Sequence, residues 1–297
     1  MFNNERCSAI ELGCRSTFRR KLRSKSGTCP VKKWEWSSRI RFVTCADLAA
    51  SAVRLASLLP PKVSRIVGIP RSGMMPAAII ASLLHRPLYT LRKDSVESVG
   101  GGARVWWGDI PDYEGVTVFV DDTTHNGGTI GHLKKLGAPI NQGIMAVCYA
   151  LNSDEVDVFA EVLPTPHILE WNLSNAPWSS ALAVDLDGIV CHNPPEQHVP
   201  LYLFRRDAVK AIITARPTAE RRATMEWLDR WGVLYRELVM WDGSEADRWN
   251  PDLVGQWKAE HCRRLKCDFY IESEPELADA MRRHGVRVLC PKQGYME

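Results

Sequence analysis

The chain lacks any run of eighteen apolar residues, so no segment is long enough to cross a bilayer as a helix, and no membrane partner is expected. It has no signal-peptide core either: Asn3 to Glu5 are polar, which points to a cytoplasmic protein. Close CxxC pairs are missing. The nine cysteines stand at 7, 14, 29, 45, 148, 191, 262, 267 and 290, an odd and scattered set that reads as reduced thiols. Cys262 and Cys267 with His261 carry zinc-ligand chemistry, but no second pair has suitable spacing, so incidental cysteines are expected. Arginine–glycine repeats and regular basic–aromatic alternation are absent, as is any strong internal repeat.

A surplus of charge is also missing overall, at +3, yet the charge is uneven. Residues 1–41 carry eleven Lys or Arg against three Glu. Residues 1–40 therefore form a basic N-terminal arm, which suits a solvated leader or an edge of the fold and, as the alternative, an acidic partner or nucleic acid. Trp34 and Trp36 either line a base pocket or pack the arm on the body. The 297 residues are enough for two ordinary domains, with apolar and charged fractions of a soluble globular chain.

After the arm, strands and helices alternate. Ile40–Val43 reads as a strand and Cys45–Leu59 as an amphipathic helix stopped by Pro60 and Pro61. A strand at Arg65–Ile69 leads through Pro70–Met75 into an apolar helix ending at Leu84. That turn offers amides at a helix N-terminus, a fit to phosphate, with Arg71, Ser72 and Gly73 in reach. Pro87–Leu91 is a further strand. From Arg92 to Gly108 the pattern breaks, and three consecutive glycines in a long connection suit a lid that brings Lys93 and Arg104 over a ligand.

Val116–Ile130, VTVFVDDTTHNGGTI, organises this first region. A strand ends in Asp121 and Asp122, which can hold a metal or accept from sugar hydroxyls at the carboxyl end of an open sheet. Thr123, Thr124, Asn126 and Thr129 add short polar groups, and Gly127 and Gly128 leave amides open. Further strands are expected at Ile144–Cys148 and Val156–Val162. Trp171 or Trp178 either stacks on a planar base or serves the core.

Residues 176–181 are the expected boundary, which gives a first domain over 41–178 and a second over 181–297. The second restarts with ALAVDLDGIV. Strands are expected at Ala211–Thr214, Tyr235–Met240, Phe269–Glu272 and Val286–Leu289, and helices at Ala219–Arg230, Gly255–Leu265 and Pro275–His284. The fold class is therefore α/β, with two doubly wound parallel-sheet domains.

Residues 65–178 resemble a type I phosphoribosyltransferase, most specifically in VTVFVDDTTHNGGTI. The resemblance implies that Asp121 and Asp122 hold the ribose hydroxyls and assist magnesium, that Thr123 to Thr129 cradle the 5-phosphate, and that Arg71 to Gly73 hold pyrophosphate. The implied ligands are phosphoribosyl pyrophosphate and a nucleobase or related acceptor. His125 and Asn126 depart from the family pattern, His125 remaining a proton acceptor by type.

Residues 181–291 resemble a haloacid-dehalogenase-like phosphatase with a Rossmann-like sheet and a minimal cap. The resemblance implies Asp185 as nucleophile and magnesium ligand, and Asp187 as general acid and base with its backbone carbonyl on the metal. It also implies Thr214 on the transferred phosphate, Lys258 as the charge-stabilising lysine, Glu272 as a metal acid and Arg216 as a further phosphate or substrate contact. TARPTAERRATMEWLDRWGVLYRELVMWDG is similar to the phosphatase domain of polynucleotide kinase/phosphatase proteins, which implies a phosphorylated nucleoside or nucleic-acid end. No GxxxxGK[ST] loop extends that likeness to a kinase.

Together these imply a bifunctional phosphoribosyltransferase and Mg2+-dependent phosphate monoester hydrolase. A nucleotide or polynucleotide-end phosphatase with a recognition domain, and a non-catalytic nucleotide- or nucleic-acid-binding regulator, are the competing readings. An oligomer is compatible with all three.

Overall fold

Two largely parallel sheets divide the strands of the chain. The computed structural model describes residues 40–92, 95–100, 113–124, 143–151, 156–164, 167–175, 179–192, 200–202, 204–205 and 207–296. Both sheets belong to the compact unit Arg39–Glu297.

The first sheet contains β2 (Val63–Gly68), β3 (Leu88–Arg92), β4 (Ser95–Gly100), β5 (Val116–Thr123), β6 (Ile144–Ala150) and β7 (Val158–Val162), in the order β4-β3-β2-β5-β6-β7. Every pair is parallel except β3 with β4. β5 shows why a mostly apolar run becomes a central strand. Its alternate residues face opposite ways, so Val118 and Val120 enter one core with Ile66 and Ala146, while Phe119 joins Val67 and Val147 on the other face. Helices α1 (Cys45–Leu58) and α2 (Met74–Leu84) bury Leu48, Leu55, Ala77 and Ile80 in the first of these cores. A capping box starts α1: Thr44 Oγ1 accepts from Asp47 N, and the Asp47 carboxylate accepts from Thr44 N.

The second sheet contains β1 (Ile40–Val43), β8 (His167–Leu169), β9 (Leu182–Val184), β10 (Val209–Pro217), β11 (Tyr235–Trp241), β12 (Phe269–Ile271), β13 (Val288–Cys290) and β14 (Tyr295–Met296). Its order is β11-β10-β9-β12-β13-β14-β1-β8. β9 to β13 pair in parallel, and β14 is antiparallel to both β13 and β1. Helices α3 (Arg221–Trp231), α4 (Pro251–Arg264) and α5 (Pro275–Arg283) belong to this region, α4 and α5 supplying Ala259, Cys262, Ala278 and Met281 to its core.

Three features differ from the sequence expectation. Part of the irregular stretch after Arg92 is strand β4, which pairs antiparallel with β3 at the sheet edge and packs Val96 on the core beside Tyr89 and Leu91. α4 begins four residues before Gly255, where Asn250 caps the amides of Asp252 and Leu253 and Pro251 takes the first turn. β1 and β8, which flank the first region in sequence, pair with each other and extend the second sheet through β14. Among the described residues no helix is long and apolar enough to cross a membrane.

Candidate functional site

Both sheets reverse their winding direction at one gap, and each gap carries acids. In the first sheet the chain passes from β2 outward to β3, then returns to place β5 on the other side of β2. In the second it passes from β9 to β10 and β11, then returns to β12 on the other side of β9. Such reversals leave a crevice at the carboxyl ends of the two central strands, where α/β sheets bind ligands. Asp121 and Asp122 lie at the end of β5, while Asp185 follows β9 and Glu272 follows β12.

At the first crevice the Pro70–Gly73 turn packs on the end of β5. A Cβ on Gly73 would stand 2.6 Å from Val120 O and 2.8 Å from Asp121 Cα, so only glycine lets the turn approach this closely. Ile69 N donates to Val120 O at 2.9 Å, and the Pro70–Arg71 peptide is cis. Asp121 and Asp122 are 7% and 3% exposed. Asp122 is well partnered: its carboxylate accepts from Thr123 N at 2.9 Å and from Trp171 Nε1 at 2.6 Å. Asp121 accepts from Asp122 N at 2.9 Å. Burial, reinforced by the Asp122 charge, pushes the Asp121 carboxyl up to about 8.

Thr124 is buried and tied to β6, donating through N to Tyr149 O and accepting at Oγ1 from Leu151 N. Thr123 Oγ1 has no hydrogen-bond partner among the described residues. Arg71 is exposed and donates to Asn172 Oδ1 at 3.2 Å. Trp171 is half-buried against the first core, and its indole N–H donates to Asp122. Trp171 and Asn172 belong to the 3-10 turn Glu170–Asn175 after β8, which therefore engages both loops of the crevice. Glu170 in the same turn accepts from Cys45 N and from the Tyr202 hydroxyl. Lys93, Arg104, His125, Asn126, Gly127, Gly128, Thr129 and Trp178 lie outside the described residues, as do Trp34 and Trp36.

The second crevice brings together Asp185, Asp187, Thr214, Arg216 and Lys258 around a cavity of about 600 Å3, with Glu272 buried beneath. Lys258 reaches the crevice from α4, on the face that also buries Val254, Gly255, Ala259 and Cys262. Its Nζ lies 2.6 Å from Glu272 Oε2 and 3.2 Å from Asp185 Oδ1. Burial pushes the Asp185 carboxyl well above its ordinary range, helped by the Glu272 charge and opposed by Lys258. Burial also pulls on the Lys258 ammonium, but Asp185 and Glu272 outweigh it and hold that group protonated.

Asp187 sits one turn further and is gripped by Arg216, whose Nε and Nη2 donate to its two oxygens at 2.8 and 2.5 Å. This fork fixes the carboxylate's direction. Gly188 makes the turn at φ +81°, and a Cβ there would stand 2.5 Å from Ser273 Cβ. That close contact lets Ser273 Oγ donate to the Asp187 carbonyl at 2.9 Å. Thr214 is buried at the carboxyl end of β10, and its Oγ1 accepts from Arg216 N at 3.2 Å.

Sequence reasoning missed Cys191, whose thiol donates to Asp187 Oδ1 at 3.6 Å, and the cavity rim of Arg248 and Trp249. None of these follows a periodic pattern or a spacing that announces a site. His261, considered with Cys262 and Cys267 for zinc, packs its ring on Trp257 at 4.7 Å.

Among the described residues no group of three or more His, Cys, Asp or Glu side chains is arranged for a metal ion. Asp185 and Glu272 set two buried carboxyl groups against the Lys258 ammonium. Magnesium takes one or two carboxylates and keeps several waters. Asp185, Glu272 and the Asp187 carbonyl would hold it.

No protein-family model and no curated protein matches the chain. Among solved structures it is similar over 43% of its length to a purine phosphoribosyltransferase from Pyrococcus horikoshii, at 23% identity, 89% coverage of that chain and a TM-score of 0.28. A xanthine-guanine-hypoxanthine phosphoribosyltransferase from Helicobacter pylori is similar over 46% of this chain and 95% of its own, at 12% identity and a TM-score of 0.33. UMP synthase from Leishmania donovani is similar over 40% of this chain and 27% of its own, at 21% identity and a TM-score of 0.29.

Proposed function

We propose that the chain is a bifunctional enzyme, a phosphoribosyltransferase at the first crevice and a Mg2+-dependent phosphate monoesterase at the second. The observation that supports it is that each acid set stands at the winding reversal of its own sheet. At the first crevice, Asp121 and Asp122 accept hydrogen bonds from ribose hydroxyls. The Arg71–Gly73 turn receives the pyrophosphate, and Asn126 to Thr129 the 5-phosphate. A nitrogen of a nucleobase-type acceptor attacks ribose C1, and the bond to pyrophosphate breaks. Positive charge on the ribose then develops beside Asp121, whose carboxyl is raised by burial and by the Asp122 charge.

At the second crevice, Asp185 attacks phosphorus and the ester oxygen leaves, taking its proton from Asp187. Water, deprotonated by Asp187, then releases phosphate from the aspartyl ester. Lys258 stabilises the ionised form of Asp185, which burial otherwise disfavours. Thr214 directs a hydroxyl to the transferred phosphoryl group, and Arg216 keeps Asp187 aligned until the substrate arrives. Magnesium, when bound, supplies charge neutralisation for the incoming phosphate.

The test is a panel of nucleobases with phosphoribosyl pyrophosphate and Mg2+, and a panel of nucleoside monophosphates, followed by mass spectrometry. Base-dependent pyrophosphate release and base-independent phosphate release are expected. No transfer across a broad panel counts against the first activity, and no monoester hydrolysis against the second.

A further inference from the structure

We infer that Trp249 is the base-binding platform of the second crevice and that its substrate is a nucleoside monophosphate; this rests on the monoesterase reading above. Trp249 is 72% exposed, more than any other large hydrophobic side chain among the described residues. It lines the same cavity as Asp185, Thr214 and Lys258.

Its exposure does not come from a loose loop. Trp241 Nε1 donates to Ser244 O at 3.0 Å, Ser244 Oγ to Asp247 Oδ2 at 2.6 Å, and Asn250 N to Asp247 O at 2.9 Å. Trp257 Nε1 ties Asp242 to α4 at 3.1 Å. The indole therefore stands on a stitched turn at the rim of the cavity that Asp185 and Lys258 line. One part of the ring carries the Arg248 guanidinium, 4.7 Å from its centroid, which steadies it. The rest is open to a flat partner, and a nucleobase is the flat group that accompanies a phosphate monoester in nucleotide chemistry.

The cavity lining also carries Glu220, Glu274 and Glu276 with Arg216 and Arg248, and Glu274 is paired with Lys292 at 2.7 Å.

The test compares kcat/KM for a nucleoside 5'-monophosphate, ribose 5-phosphate and a 3'-phosphorylated oligonucleotide, with Mg2+, in the wild type, Trp249→Ala and Trp249→Phe. The wild type is expected to prefer the mononucleotide over ribose 5-phosphate by about ten-fold, in line with one base stacked on one aromatic ring. Trp249→Ala is expected to lose that preference through KM, and Trp249→Phe to restore most of it. A preference unchanged in Trp249→Ala overturns the assignment, and so does a wild type that prefers the oligonucleotide. Calorimetric binding of the same ligands to Asp185→Asn separates the two claims. A base-dependent affinity lost with Trp249 upholds the platform even if no ester is hydrolysed, and equal affinity for both sugars' phosphates, with and without a base, refutes it.

Discussion

Lys258 is a buried cation between two buried acids, and replacing it by Met gives the sharpest energetic test of the second crevice. Lys258 and Glu272 are both 0% exposed, and the ammonium lies 2.6 Å from Glu272 and 3.2 Å from Asp185. Methionine keeps most of the stem and removes the charge. Removing one partner of a buried ion pair costs about 3–5 kcal/mol, because the other partner stays desolvated without compensation. The upper half of that range is expected here, since two carboxylates lose the same cation. The sign of the pH dependence follows from Asp185, whose carboxyl burial already holds well above its ordinary range. Without the ammonium it takes up a proton more readily in the folded protein than in the unfolded chain. Its contribution is therefore favourable at low pH and is lost as pH rises through its folded value. The assay is urea unfolding followed by circular dichroism at about pH 5 and about pH 7.5, with a chelator so that no bound cation replaces the ammonium. A deficit of about 3–5 kcal/mol at the higher pH is expected, smaller at the lower. Lys258→Met with Glu272→Gln should recover part of it. A deficit below about 1 kcal/mol, or one equal at both pH values, refutes the buried-triad reasoning.

Other perturbations probe the first crevice. Asp121→Asn removes a carboxyl raised from 3.8 to about 8, whose contribution favours the fold at low pH and is lost as pH rises through about 8. The variant should gain stability over the wild type above that pH, by at most about 6 kcal/mol for a group titrating alone, and gain little near pH 4; parallel melting curves across the range would contradict this. Gly73→Ala sets a Cβ 2.6 Å from Val120 O and 2.8 Å from Asp121 Cα, both main-chain atoms. A loss of about 1–3 kcal/mol in denaturant unfolding is expected, and an unchanged midpoint would mean that the turn does not sit on β5. Trp171→Phe removes the indole N–H that Asp122 accepts at 2.6 Å, which should cost about 1.5–3 kcal/mol as a hydrogen bond to a charged group. Retained stability in that variant would show that Asp122 finds another donor.

The sequence made the central strands legible for a physical reason. Val118 to Val120 and Leu182 to Val184 are buried on both faces, so they read as short apolar runs, and an acid directly after such a run stands out. Lys258 was legible as part of a helix because Val254, Ala259 and Cys262 share its buried side. β8 and β14 were not legible, since strands of three and two residues carry no measurable alternation. The extension of the second sheet by β1 and β8 depends on pairing between residues more than a hundred positions apart, as in Phe42 with Ile168, which no local pattern encodes. Trp171 was recognisable as a large aromatic but not as the donor to Asp122, because that bond exists only once β8 is docked. Trp249 lies between an acidic turn and an Asn-Pro helix start, where nothing in the spacing sets it apart from a solvent-exposed residue.

Two separate centres are the core of the proposed function, and a crossed pair of variants tests them most directly. Phosphate release from a nucleoside monophosphate and base-dependent pyrophosphate release are measured side by side for Asp185→Asn and Asp121→Asn. Asp185→Asn should abolish the first and spare the second, and Asp121→Asn should do the reverse. Phosphate release at wild-type rate in Asp185→Asn, or loss of both activities in either folded variant, would contradict two independent sites.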